Sequence, residues 1–414
     1  MSTPWGGGQR PPDPGYLPPP YPGAAGSGPP PHPAMHPAPY PVQPPAVPPG
    51  APPHDVPQPF PSLMRSRTWG WWRPLVGLLL FAVVYTIAAV LLVLLAALSG
   101  LVPDLQLTDL TDPWVLLVTN SSLIVAIPIV WLCWVAAHQM RIGWSSSVLG
   151  HLRWRLFLPL TWRALATLGV WIAVQGLIEV LGGDLDGPAA DFGWLLLVVV
   201  LTTPLQSAAE EYFFRGYLSQ AIAGWVRAPR AGAVVAAVIT AALFSLAHAP
   251  SDLGLFLDRF AFGLAASAVV WLTGGLESSI VLHAVNNVLV FVLAGALGQT
   301  VDDDSSAGTG LLVVLLDVVA MAAYVAVVAV SRGRLRAEHL SPALDLRGAA
   351  PGIPSGVPGP PPGWGPPPGW GPGWHVPHPT GPAWGAPGPW PPGPPPDPRG
   401  RRPGTGQDGG PPRG

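Results

Sequence analysis

Between about residue 63 and residue 347 the chain alternates long apolar stretches with short polar ones, and outside those limits the pattern is lost. Eight apolar stretches stand out, at roughly 74–102, 114–137, 162–182, 192–214, 231–249, 256–273, 279–298 and 308–330. Each approaches the ~20 residues a helix needs to cross the hydrocarbon of a bilayer. They are too long for strands and show no alternation, and a chain inside lipid must satisfy its own backbone groups, so helices are predicted. The implied fold class is all-α: a polytopic membrane helical bundle of about eight transmembrane helices.

Charge orients these spans. Arg65, Arg67 and Arg73 precede the first; Arg141, Arg153, Arg155 and Arg163 follow the second; Arg215, Arg227 and Arg230 follow the fourth; Arg332, Arg334 and Arg336 follow the eighth. The intervening loops carry Asp104, Asp109 and Asp112, then Asp184, Asp186 and Asp191, then Asp302, Asp303 and Asp304. Arginine on alternate loops predicts a multi-pass protein of the cell membrane with both tails cytoplasmic, a pattern that closes only with an even number of spans. Trp69, Trp71 and Trp72 suit an interfacial anchor.

The flanks differ in kind. Residues 1–62 are dominated by Pro, Gly, Ala, Tyr and His, and residues 348–414 repeat Pro-Gly-Trp at 362–364, 368–370 and 372–374. Such composition does not bury a core and predicts disordered or polyproline-like tails. A solvated tail is the plainer reading, with protein binding as the alternative. The expected organisation is a Pro-rich tail over 1–62, N-terminal spans over 63–190, a candidate catalytic core over 191–300, a last span with a basic segment over 301–347, and a second tail over 348–414.

Composition narrows the function classes. The chain has 414 residues, 49% hydrophobic and 10% charged, with a net charge of −2. No basic stripe is present, which argues against nucleic acid as a partner; all 20 basic residues are arginine. The single cysteine, Cys133, lies in an apolar run, so no intrachain disulfide is expected. No apolar signal peptide opens the chain, so the first span is expected to act as the insertion signal.

The chemistry is carried by polar residues on apolar segments. Glu210-Glu211-Tyr212-Phe213-Phe214-Arg215-Gly216 closes a stretch that runs from Phe192 to Ala209 without a charged residue. Carboxylates at a helix centre cost a few kcal/mol each, so two in succession predict a functional site. Glu211 and Arg215 are four residues apart, on one helix face, and predict an in-helix ion pair. Glu210, about 100° round the helix, is expected to lack an in-helix partner and to be free for proton transfer. Phe244 and His248, and His283 and Asn287, are likewise spaced by four. His248, His283 and Asn287 suit a second base, a metal ligand or hydrogen-bond donors. Each taken alone has a plainer reading: a packed histidine, a structural ion pair, an interhelical asparagine. Together they are harder to dismiss. Glu179 is expected to reach the interface, and Asp317, inside the last span, has no evident role.

Read in order, Glu210-Glu211-x-x-x-Arg215, Phe244-x-x-x-His248 and His283-x-x-x-Asn287 resemble the CPBP (Abi) family, intramembrane proteases related to type II CAAX prenyl proteases and bacteriocin-processing enzymes. The match covers roughly residues 195–295 and includes the Phe214-Arg215-Gly216 ending of the first motif. The resemblance implies an intramembrane endopeptidase acting on a membrane-associated protein or peptide. It implies Glu210 as the base that activates water with help from His248, His283 and Asn287 as oxyanion stabilisers, and Glu211 and Arg215 as residues that shape the site. One glutamate and two histidines, Glu210, His248 and His283, could also hold zinc with an open position for water, so a metalloprotease stays open. No His-Glu-x-x-His helix is present, and neither a rhomboid-like Gly-x-Ser-Gly nor an aspartyl Gly-x-Gly-Asp motif occurs.

Two other classes remain: a non-proteolytic scaffold or regulator on the same fold, and a proton-coupled transporter, although no internal repeat is visible. One geometric conflict is also left. Simple spans put Glu210 near one end of its helix and His248 near the opposite end of the next. A break at Pro204 with a tilted piece over 205–226, or a shorter 231–249 segment, would bring them together; more than about 10 Å between them would undermine the assignment.

Overall fold

The computed structural model describes residues 51–100, 109–182, 187–189, 191–299 and 311–344. Asp104, Asp184, Asp186 and Asp302 to Asp304, residues 1–50 of the first tail and the whole of the second lie outside the described residues. Among the described residues, eight helices are long and apolar enough to cross a membrane: α1 Arg73–Leu98, α2 Pro113–Ala136, α3 Trp154–Gly182, α4 Phe192–Trp225, α5 Pro229–Ala247, α6 Leu253–Thr273, α7 Glu277–Leu297 and α8 Leu312–Leu335. The all-α multi-pass architecture read from the hydrophobic pattern is therefore the one observed, and no named strand occurs among the described residues.

Local chemistry sets several ends. Asp112 caps α2, accepting from the amides of Trp114 (2.8 Å) and Val115 (2.9 Å), with Pro113 in the first helical turn. Asp252 caps α6 through the amide of Leu255 at 2.8 Å. Gly274 ends α6 in the left-handed region at φ 69°.

Two spans are longer than hydropathy alone suggests. α3 begins at Trp154 rather than near 162, with a π-helical turn over Leu165–Gly169. α4 runs 34 residues instead of stopping near 214, so at 1.5 Å per residue it is about 50 Å long. It does not break at Pro204; the helix continues from Phe192 to Phe213 with Pro204 inside it, then opens into a π turn over Phe214–Leu218. Arg215 is consequently a buried helix residue and not part of a basic loop; Arg227 is exposed in the turn that follows, and Arg230 is exposed in the first turn of α5.

The boundary expected at residue 62 also gives way. Phe60, Leu63 and Met64 are fully buried against Trp134, Trp144 and Tyr217 in one apolar cluster. This flank is stitched to the segment after α8: the Ser341 amide donates to the Gln58 carbonyl at 2.8 Å and the Leu344 amide to the His54 carbonyl at 2.9 Å. Three large apolar side chains within a Pro-rich composition anchor the stretch that follows residue 50.

Candidate active site

The site is built on the middle of α4, the end of α5 and the first turns of α7. Glu210 is the nineteenth residue of the 34-residue α4, and α5 is only 19 residues long. From the α4–α5 turn, Glu210 lies about 22 Å back along α4 and His248 about 28 Å forward along α5. The long helix and the short one thus bring these residues to similar depth, and the conflict seen in the sequence disappears. Glu210 Oε2 stands 3.8 Å from His248 Nε2 and 3.7 Å from His283 Nε2.

Glu211 and Arg215 form the expected pair, Arg215 Nη1 donating to Glu211 Oε1 at 2.7 Å with both side chains buried. The same oxygen accepts from His283 Nδ1 at 3.1 Å. Arg215 Nη2 also donates to the Gly263 carbonyl at 3.2 Å, and its guanidinium lies over the Phe244 ring at 4.9 Å. A buried ion pair survives only when its remaining groups are bonded, and these contacts tie α4 to α6 and α7. Gly216 is glycine for want of space: a Cβ there would lie 2.8 Å from the Ser145 carbonyl oxygen.

Glu210 is not without an in-helix partner, as the sequence led us to expect. Gln206, one turn earlier, donates through Nε2 to Glu210 Oε1, and Asn287 Nδ2 approaches Gln206 Oε1 at 3.5 Å. Asn287 therefore reaches Glu210 through Gln206. The second glutamate oxygen, Oε2, is buried and accepts no hydrogen bond among the described residues.

The histidine tautomers follow from their partners. His248 Nδ1 lies 2.7 Å from the Phe244 carbonyl, which can only accept, so Nδ1 carries a proton and, in the neutral ring, Nε2 is the acceptor. His283 Nδ1 faces a carboxylate oxygen already bonded to arginine and donates to it, which in the neutral ring again leaves Nε2 as the acceptor. Both Nε2 atoms lie within 4 Å of Glu210 Oε2. Phe244 packs against both rings, at 4.5 Å from His248 and 5.7 Å from His283, and Phe262 flanks His283 at 5.0 Å. His248 follows the last residue of α5 and its side chain is 29% exposed, so solvent reaches the site on that side.

A zinc ion held by Glu210, His248 and His283 needs ligand atoms roughly 3.4 Å apart in a tetrahedron. The observed separations of 3.7 and 3.8 Å are wider. Among the described residues no group of three or more His, Cys, Asp or Glu side chains is arranged to hold a metal ion.

Sequence reasoning missed three features. Gln206 was legible, four residues before Glu210 on the same face. Glu277, completely buried, pairs with Arg153 at 2.7 Å, and Arg153 also donates to the carbonyls of Thr273 and Glu338; the partners are 124 residues apart, so no local spacing reveals them. Asp317, left without a role, accepts from Trp171 Nε1. Glu179 is exposed and takes a 3.4 Å contact from Gln299.

A stretch of the chain, residues 191–289, matches the family described as "Type II CAAX prenyl endopeptidase Rce1-like". It holds Glu210, Glu211, Arg215, His248, His283 and Asn287. An uncharacterised protein of Bacillus subtilis (strain 168), YyaK, is 28% identical over 200 residues, 45% of this chain. That alignment spans 64% of YyaK, less than two thirds of its length. No solved structure matches the chain.

Proposed function

We propose that the protein is an intramembrane endopeptidase that hydrolyses a peptide bond of a membrane-associated protein or peptide, with Glu210 as general base. One observation carries the reading: a buried carboxylate oxygen, Glu210 Oε2, accepts no hydrogen bond among the described residues and stands 3.7 and 3.8 Å from the Nε2 atoms of His283 and His248. Acceptors so spaced are near enough to share one water, which can donate to Glu210 Oε2 and to His248 Nε2.

In the reaction, Glu210 takes a proton from that water as its oxygen attacks the scissile carbonyl carbon. The carbonyl π bond breaks and the oxygen becomes an oxyanion. Collapse of the tetrahedral intermediate re-forms the carbonyl and breaks the C–N bond, and Glu210 returns its proton to the leaving amine. Glu211 and Arg215 hold His283 in its tautomer and α4 against α6 and α7. Asn287 orients Gln206, which fixes Glu210 through Oε1. These steps are carried by Glu210 and the two imidazoles, with no step routed through a metal ion. The membrane is taken to be the cell membrane with both flanks on its cytoplasmic side, a reading supported by the arginines at those ends and by the pairing of residues 54–58 with 341–344.

The test uses the full chain in liposomes with a membrane-tethered peptide, prenylated and unprenylated at a C-terminal cysteine. Glu210→Gln and His248→Ala are expected to lose roughly 10²–10⁴-fold in rate while keeping the wild-type melting temperature. Chelation is expected to leave the wild-type rate unchanged. Full activity in Glu210→Gln would sink the assignment and favour a scaffold. The two peptides separate a CAAX-type specificity from a broader one.

A further inference from the structure

We infer that Arg259, on α6 and outside the three motifs, is a positioning residue of this site: its guanidinium grips the backbone carbonyl of His248 and so keeps the imidazole within reach of Glu210. The inference rests on the endopeptidase reading and adds to it a residue that acts through His248.

Arg259 is the seventh residue of α6, about 9 Å along the helix from Leu253. An ionised side chain inside a spanning helix is costly and marks a functional site by default. Asp258, the preceding residue, lies within electrostatic range of the guanidinium and offsets part of that cost. Arg259 Nη1 donates to the His248 carbonyl at 2.8 Å. A hydrogen bond from a charged donor is roughly twice as strong as a neutral one.

The end of α5 needs such a grip. His248 leaves helical geometry at φ −91° and ψ 10°, and Ala249 follows in the left-handed region at φ 44°. A residue with a Cβ rarely adopts that conformation, and Pro250 favours an extended residue before it. A turn of this kind persists only where its surroundings impose it. α6 imposes it at two points. Ser245 Oγ donates to the Phe256 carbonyl at 2.9 Å, which fixes the last turn of α5. Arg259, about one turn further along α6, fixes the peptide that joins His248 to Ala249. Within α5, His248 Nδ1 is bonded to the Phe244 carbonyl. The imidazole is thus held through its ring by α5 and through its backbone by α6, with Nε2 at 3.8 Å from Glu210 Oε2. Without Arg259 the His248–Ala249 peptide is free to relax toward an extended turn, and the imidazole moves with it. A displacement of about 1 Å at a reacting group can cost roughly 10²-fold in rate.

The experiment compares wild type, Arg259→Met, Arg259→Lys and Glu210→Gln in liposomes against one membrane-tethered peptide, at a temperature well below every melting transition. Arg259→Met keeps an unbranched side chain and removes the donors. It is expected to lose roughly 10²-fold in kcat with KM within about threefold of wild type, because activation of water fails and peptide binding does not. Arg259→Lys restores a charged donor and is expected to recover about tenfold or more of that loss. In the His248→Ala background, Arg259→Met is expected to change the residual rate by less than about threefold, because the group it positions is gone. With Glu210→Gln inactive, any one of three results overturns this inference alone: an Arg259→Met kcat within threefold of wild type, an Arg259→Lys kcat no higher than that of Arg259→Met, or a further tenfold loss in the His248→Ala background. A wild-type protein that cleaves no peptide, or a Glu210→Gln variant as active as wild type, overturns the endopeptidase reading and this inference with it.

Discussion

Two buried histidines with different tasks illustrate how side-chain environment sets chemistry in this protein. His283 is held by a carboxylate that an arginine has already neutralised. His138, outside the membrane-spanning segments, is 2% exposed and bonded to the Tyr217 hydroxyl at 3.0 Å. Burial, helped by the nearby Arg73 charge, pushes the His138 imidazole down from 6.5 to about 4. Between those values the unfolded chain binds the proton and the folded chain does not. Stability is therefore complete above about pH 6.5 and is lost as pH falls toward 4, by roughly 3 kcal/mol if the whole difference is expressed. Melting temperatures recorded across that window should fall less steeply in His138→Gln than in wild type.

At the scale of elements, the site depends on unequal helices held in close contact. α4 is long enough to carry Glu210 at its middle, and α5 short enough to end at His248. Their alignment relies on α5 and α6 approaching closely at Gly263, where a Cβ would lie 2.6 Å from Ala241 Cα. Small residues at such crossings let backbones pack within a membrane. The Gly263 carbonyl also accepts from Arg215. Gly263→Val should force the two helices apart, costing on the order of 1–3 kcal/mol and lowering proteolysis and melting temperature together. This coupled loss distinguishes it from Glu210→Gln, and the two variants assayed side by side separate packing from chemistry.

Across the whole molecule, the flanks of the bundle are part of the fold up to a definite point. The hydrogen bonds that join His54 and Gln58 to Leu344 and Ser341 close the ends of the described chain on each other. Phe60, Leu63 and Met64 fill the cluster beneath. Deleting residues 1–50 should leave melting temperature and cleavage unchanged. Extending the deletion through Met64 should cost roughly 4–6 kcal/mol, the transfer value of three buried apolar side chains, and collapse expression in fluorescence-detected size exclusion.

The sequence by itself determined the class of fold, because long apolar runs in lipid admit only helices. It also determined the Glu211–Arg215 pair, because spacing by four is a local property of one helix. It did not determine where helices end once buried charge is satisfied by partners elsewhere. Arg215 and Arg155 looked like loop residues for that reason, and α3 and α4 looked short. Tertiary structure alone decided that Glu210 and His248 share a depth and that Arg153 neutralises Glu277. These are contacts between segments tens to more than a hundred residues apart, fixed by packing and by the need to pair every buried charge, and no local pattern encodes them.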